Sequence, residues 1–209
     1  VKYTGNVTSG ATVSHGLSET PFLILIKPLE AVSDWVVYSE PVGPTAAMQL
    51  NLANDPYTYA AYFNNTAPTA SVFSLGSYNG VNASGEDFIA YCFHSVPGYS
   101  KIGSYEGNAD ADGTFVYTGF RTAFLLLKSI DDDAHWEMED DKRDPYNLSY
   151  HALQANLTNA EDTSTSRNGL DFVSNGFKFR SNSSNIMNGS ETYLYLAFAE
   201  SPFKYANAR

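Results

Sequence analysis

Short apolar runs, each closed by Gly, Pro, Asn or Ser, recur along the whole chain. Pro21 to Lys27, Trp35 to Ser39, Met48 to Leu52, Tyr57 to Phe63, Val72 to Leu75 and Phe88 to His94 are rich in Val, Ile, Tyr and Phe. That composition suits a pleated, half-buried surface, and the regular spacing predicts an all-β sandwich or barrel. Met48-Gln49-Leu50-Asn51-Leu52 and Phe177-Lys178-Phe179-Arg180 alternate apolar and polar residues, which predicts strands wet on one face. Leu23 to Ile26 and Phe124 to Leu127 are continuously apolar and predict strands covered on both faces. Helical periodicity is thin. Tyr150, Leu153 and Leu157 fit part of a helical stripe, but the matching segment Met48 to Leu52 reads as strand, so strand and loop are expected there. Asn159 to Gly169 is polar and aperiodic and reads as a surface loop or a mobile insertion.

The pattern repeats. Tyr3-Thr4-Gly5-Asn6 returns as Tyr105-Glu106-Gly107-Asn108, Leu23-Ile24-Leu25-Ile26-Lys27 as Phe124-Leu125-Leu126-Leu127-Lys128, and Trp35 as Trp136. Glu86 to Phe93 lines up with Glu191 to Phe198. The blocks keep their order and their offsets drift only from 101 to 105. This predicts two homologous repeats of about 100 residues, 1–103 and 104–209, each a β-sandwich or jelly-roll-like unit, related by a pseudo-twofold axis. Tyr99 to Ser104 reads as a strand leading into the second Gly turn, whereas only Val1-Lys2 stands in that place in the first copy. The sequence therefore reads as the C-terminal part of a longer polypeptide, or as a unit whose missing strand another element supplies.

Composition narrows the function. With 209 residues, 43% of them hydrophobic, and 15 Tyr, 13 Phe and 2 Trp, the chain can bury sizeable cores without staples. A formal charge of -11 repels a phosphate backbone and anionic lipid, so no nucleic-acid partner is expected. No apolar run is long enough to span a bilayer as a helix, and no membrane insertion is expected. The single cysteine, Cys92, sits in the apolar run Phe88 to Phe93 and reads as a small core hydrophobe, with a reactive thiol as the alternative. Seven Asn-x-Ser/Thr sequons begin at Asn6, Asn64, Asn82, Asn147, Asn156, Asn182 and Asn188, and read as turn chemistry or as glycan acceptors.

Enzymatic strings are missing. There is no Gly-x-Ser-x-Gly elbow, no phosphate-binding glycine loop, and no metal-ligand spacing among His15, His94, His135 and His151. Asp131-Asp132-Asp133 with Glu137, Glu139, Asp140 and Asp141 form an acidic stretch beside Trp136. It reads as a solvated loop and a charge-protected edge strand, with a cation site and a glycosidase carboxylate pair as alternatives. The better metal candidate is Asn108-Ala109-Asp110-Ala111-Asp112-Gly113, which matches the start of an oxygen-ligand calcium loop. In it Asn108, Asp110 and Asp112 would hold the ion, but Gly119 stands where the bidentate Glu is needed, and a Gly-rich hairpin turn is the other reading. No other cofactor is expected. Trp35 and Trp136 recur and read as core, while exposed loop tyrosines could contact sugar.

Several segments carry a resemblance. Pro21 to Lys27, Asp34-Trp35-Val36-Val37-Tyr38, Asn64 to Phe73 and Asn82 to Phe93 in the first half resemble a β-rich domain of marine bacteriophage virion proteins. Gly98 to Tyr105, Asp141 to Asn147, Asp171 to Lys178 and Ala197 to Phe203 continue the resemblance through the second half. That family is similar to tail-fibre and other structural proteins and assigns no catalytic residues. The resemblance implies a non-enzymatic virion protein, at the surface of the particle, most naturally a tail-fibre or tail-tip domain for host attachment. A capsid-surface decoration or turret protein is the alternative, and a glycan depolymerase module a third reading. The partners implied are other virion proteins, a host cell-surface glycan or protein, and further copies of the chain, three in a fibre.

Overall fold

The computed structural model describes residues 1–164, 169–182 and 187–202. It is all-β; among the described residues every strand pairing is antiparallel and there is one four-residue helix. The chain divides into two compact units, Val1–His94 and Ser95–Arg209. The boundary expected at 103/104 would cut through a strand, because the segment ahead of Tyr105 is already paired inside the second unit.

The first unit contains β1 (Lys2–Thr4), β2 (Ala11–Ser14), β3 (Leu23–Pro28), β4 (Val36–Ser39), β5 (Ala46–Gln49), β6 (Tyr57–Thr58), β7 (Val72–Leu75), α1 (Asn79–Asn82) and β8 (Asp87–Phe93). One sheet runs in the order β1-β8-β3-β4-β5-β6, and β2 pairs with β7 in a second. Strand alternation sends Ile24, Ile26, Val36, Tyr38, Phe88 and Ala90 of the large sheet into one core with Phe73 and Leu75 of β7. Burial of these apolar faces against one another is what holds the two layers together. The run Leu23 to Ile26 lies in β3, between β4 and β8, as its unbroken apolarity predicts.

Two local expectations fail, for physical reasons. Met48 to Leu52 is not a strand wet on one side: β5 stops at Gln49, its four residues are all buried, and Leu50 to Leu52 turn away. Tyr57 to Phe63 gives only the two-residue β6, after which a turn carries Tyr62 and Phe63 into the core. There the rings of Tyr62 and Tyr78 meet edge-on at 5.0 Å, and those of Tyr38 and Phe63 at 5.4 Å. Aromatic density marked a core corner made by a turn.

The second unit contains β9 (Ser100–Glu106), β10 (Phe115–Tyr117), β11 (Thr122–Ser129), β12 (Glu137–Asp140), β13 (Leu153–Gln154), β14 (Leu170–Val173), β15 (Gly176–Phe179) and β16 (Thr192–Ala199). One sheet has the order β13-β12-β11-β16-β9 and the other β10-β15-β14. Its core stacks Tyr105 on Phe179 and on Tyr193, both at 5.2 Å, above Leu125, Leu127 and Phe177. The segment Asn159 to Gly169 is irregular as far as Ser164, and Thr165 to Asn168 lie outside the described residues.

Part of the strand order is alike in the two units, β1-β8-β3-β4-β5 against β9-β16-β11-β12-β13, although β6 and β14 have no counterpart, and individual bonds are alike too. Tyr3 donates its hydroxyl to the carbonyl of Val81, and Tyr105 to that of Met187, each at 2.7 Å. The amide N–H groups of Trp35 and Trp136 both reach an Asn side-chain oxygen, Asn51 and Asn156. Trp136 is 1% exposed, whereas Trp35 is half-buried and lies over Tyr91. The largest difference in pairing is at one edge: β1 meets β8 over Asp87 to Ile89, but β9 meets β16 over seven residues.

Candidate functional site

The Asn108–Gly113 loop follows β9 and is closed by its own side chains. The Asn108 Oδ1 accepts from the Asp110 N–H at 3.1 Å, and the Asp110 Oδ1 from the Asp112 N–H at 2.8 Å. These are short Asx turns. Asp112 Oδ1 lies 2.7 Å from the Lys178 ammonium, which with Arg180 holds the carboxyl below its usual range. The decisive residue is Asn188, fully buried, whose Nδ2 donates to Asn108 Oδ1, to the carbonyl of Asp110 and to that of Ser181. An amide therefore stands against oxygens that a cation would bind, and a cation at Asp112 would have to displace Lys178. Among the described residues, no group of three or more His, Cys, Asp or Glu is arranged to hold a metal ion.

Asn82 performs the same service in the first unit. Its Nδ2 donates to the carbonyls of Thr8 and Gly76, and its Oδ1 accepts from the Asn6 N–H. Both residues are sequon asparagines, yet their exposures of 1% and 0% leave no room for a glycan. In sequence alone they read as turn residues or acceptors. The signal available was their recurrence four and three residues ahead of Glu86 and Glu191.

The acidic stretch splits in two. Asp131, Asp132 and Asp133 are exposed, as expected of a solvated loop. Glu137, Glu139 and Asp141 are not on a solvated edge: they are about 95% buried, and β12 lies between β11 and β13. The period of two puts Glu137 and Glu139 opposite Leu127 and Leu125, on the core side of the sheet. In the first unit the corresponding positions, opposite Ile26 and Ile24, are Val36 and Tyr38. Burial first, and the neighbouring Glu137 second, push the Glu139 carboxyl up to about 8. Its Oε2 has no hydrogen-bond partner, while Ser149 bonds the carboxyl. Glu137 accepts from Gln154 at 2.8 Å.

Beside them Asp144 takes hydrogen bonds from Ser149 and from the N–H groups of Tyr150 and His151, and lies 2.5 Å from the His151 ring Nδ1. Burial raises the Asp144 carboxyl, but these bonds outweigh it and hold it below its usual range. Ser149 bonds to the carboxylate and not to the imidazole, which inverts the order that an activated nucleophile needs. His15 is buried with both ring nitrogens engaged by backbone, through Thr69 and Leu17.

A cleft of about 330 Å³ opens in the second unit where β9 begins and β10 ends. Ser95, Gly98, Ser100, Lys101, Tyr117 and Gly119 line it. The hydroxyl of Ser95 bonds to Ile102, and that of Ser100 accepts from Val96, so the wall is held by its own backbone. Tyr117 is 64% exposed, and its ring lies against Gly119, where φ is +85°. Lys101 shares the inner face of β9 with Gly103 and Tyr105 by strand alternation. Among the described residues, no His, Asp, Glu or Cys lines the cleft.

These features define an all-β protein of two compact units, with a cleft of mixed polarity beside an exposed aromatic in the second. The chain belongs to the family described as Domain of unknown function (DUF7483), whose model matches residues 1–202 and so spans both units. No curated protein and no solved structure matches the chain. No helix among the described residues is long and apolar enough to cross a membrane.

Proposed function

We propose that this chain is a non-enzymatic structural protein of a bacteriophage virion, a tail-fibre or tail-tip domain that attaches the particle to a host-surface glycan or protein. The observation that carries attachment over catalysis is the cleft of the second unit. It offers a ring, hydroxyls and an ammonium, but among the described residues no carboxyl or imidazole to move a proton. The buried carboxyls of β12 lie on the core side of their sheet, opposite leucines, which suits them poorly to work on an external polymer. The resemblance of both halves to virion proteins supports the particle as the setting, and a fibre would hold three copies of the chain. Two similar all-β units also suit the proposal that the chain arose by internal duplication, one unit then diverging into the binding unit.

Gold labelling of intact particles with an antibody to this domain, read by electron microscopy, tests the reading. Label at the tail tip is the expected result. Label over the head would replace attachment by capsid decoration, and bare particles would overturn the virion assignment.

A further inference from the structure

Among the described residues, the cations of this acidic chain are almost all committed. Lys2, Arg121, Lys142, Arg143, Lys178 and Arg180 pair with carboxylates, and Lys27 and Lys128 donate to backbone carbonyls. Among the described lysines and arginines, only the Lys101 side chain has neither an ion pair nor a hydrogen bond. It lines the cleft, beside the exposed ring of Tyr117 and no acidic group. In a chain of net charge -11, an ammonium left without a carboxylate is out of keeping with the rest of the surface.

We infer that the cleft is a binding site for an anionic sugar, a pyranose whose carboxylate or sulfate meets Lys101 while its ring packs on Tyr117. The inference rests on the attachment reading and names the ligand class of the same site. The chemistry is complementary. An ammonium gives a charge-assisted bond to a carboxylate or sulfate oxygen, and a phenol ring gives a flat apolar face to the C–H side of a pyranose. A volume of about 330 Å³ suits one or two sugar rings rather than a long buried chain. The internal bonds of Ser95 and Ser100 hold the wall ready, so little ordering is needed on binding. The general negative charge of the surface repels an anionic polymer, so selectivity depends on this single contact.

Titration calorimetry with trisaccharides of galacturonic acid, of sulfated galactose and of neutral galactose tests it on the full chain. At least one acidic trisaccharide binds about tenfold more tightly than the neutral one, the scale of one hydrogen bond to a charged group. Lys101→Gln abolishes that preference, Lys101→Arg keeps it, and Tyr117→Ala weakens acidic and neutral sugars alike. Equal binding of all three sugars, no binding of either acidic one, or a preference unchanged in Lys101→Gln would overturn the inference. Circular dichroism of each variant separates misfolding from lost binding. Tail-tip label with no acidic binding would sink the anionic-sugar site and leave the attachment reading standing. Acidic binding by a chain that labels no particle would do the reverse.

Discussion

Glu139 stands directly opposite Leu125 across the β11–β12 ladder, a carboxyl facing a fully buried leucine on the core side of the sheet. Tyr38 occupies the matching position in the first unit, where its buried hydroxyl is pushed up to about 12 and does not ionise at ordinary pH. The second unit has thus placed an acid where the first has a neutral aromatic.

A pH dependence follows from that placement. The folded Glu139 holds its proton to about pH 8, while the unfolded chain releases it near the ordinary carboxyl value of 4.5. The folded state binds the extra proton between those values, so this contribution is fully present below about pH 4.5 and declines as pH rises toward 8. The loss is at most roughly 5 kcal/mol, the product of the shift and the free energy per pKa unit. Urea titrations across that range are expected to show a downward slope that Glu139→Gln removes. An identical slope in the variant would refute the assignment. Asp144, held low, works in the opposite sense and costs stability only as pH falls below its unfolded value.

Replacing either buried asparagine is expected to destabilise its unit. Asn188→Ala leaves the carbonyls of Asp110 and Ser181 without their shared donor, and Asn82→Ala those of Thr8 and Gly76. Unsatisfied buried groups of this kind cost about 2–3 kcal/mol together. The denaturation midpoint reads the loss, and a variant as stable as the parent would show that water replaces the amide freely.

Millimolar calcium is expected to leave the melting midpoint unchanged, because Asn188 and Lys178 already hold the oxygens of Asn108 and Asp112. A rise of several degrees, abolished by Asp110→Asn, would restore the calcium reading of the loop.

Gly107 admits no side chain, since a Cβ there would overlap the Gly189 carbonyl, as one on Gly5 would overlap that of Ala83. Gly107→Ala must push two backbone segments apart at a cost of about 2 kcal/mol or more. The thermal midpoint measures it.

Cys92 is half-buried against the first core, and burial pushes its thiol up to about 11. Its thiolate fraction near neutral pH is about a hundredfold below that of an ordinary thiol, so iodoacetamide should label the folded chain slowly and the unfolded chain readily. Rapid labelling without denaturant would revive the reactive-thiol alternative.

The apolar runs were enough to predict an all-β chain and most strands, because a period of two and the Gly, Pro and Asn punctuation are local properties of the backbone. The repeat of short motifs likewise pointed to a two-part organisation: Tyr3 and Tyr105, and Trp35 and Trp136, make matching bonds. Other features depend on what lies across space. An acidic run reads as solvated in sequence, and only the position of β12 between two other strands turns Glu137 and Glu139 inward. An Asn before a Gly or Ala reads as a turn residue, and only the approach of a distant loop makes Asn82 and Asn188 its internal donors. Lys101 carries no local mark at all. Its freedom shows only in the folded chain, where every other described lysine and arginine has a partner, since pairing is a property of distances between segments far apart in the chain.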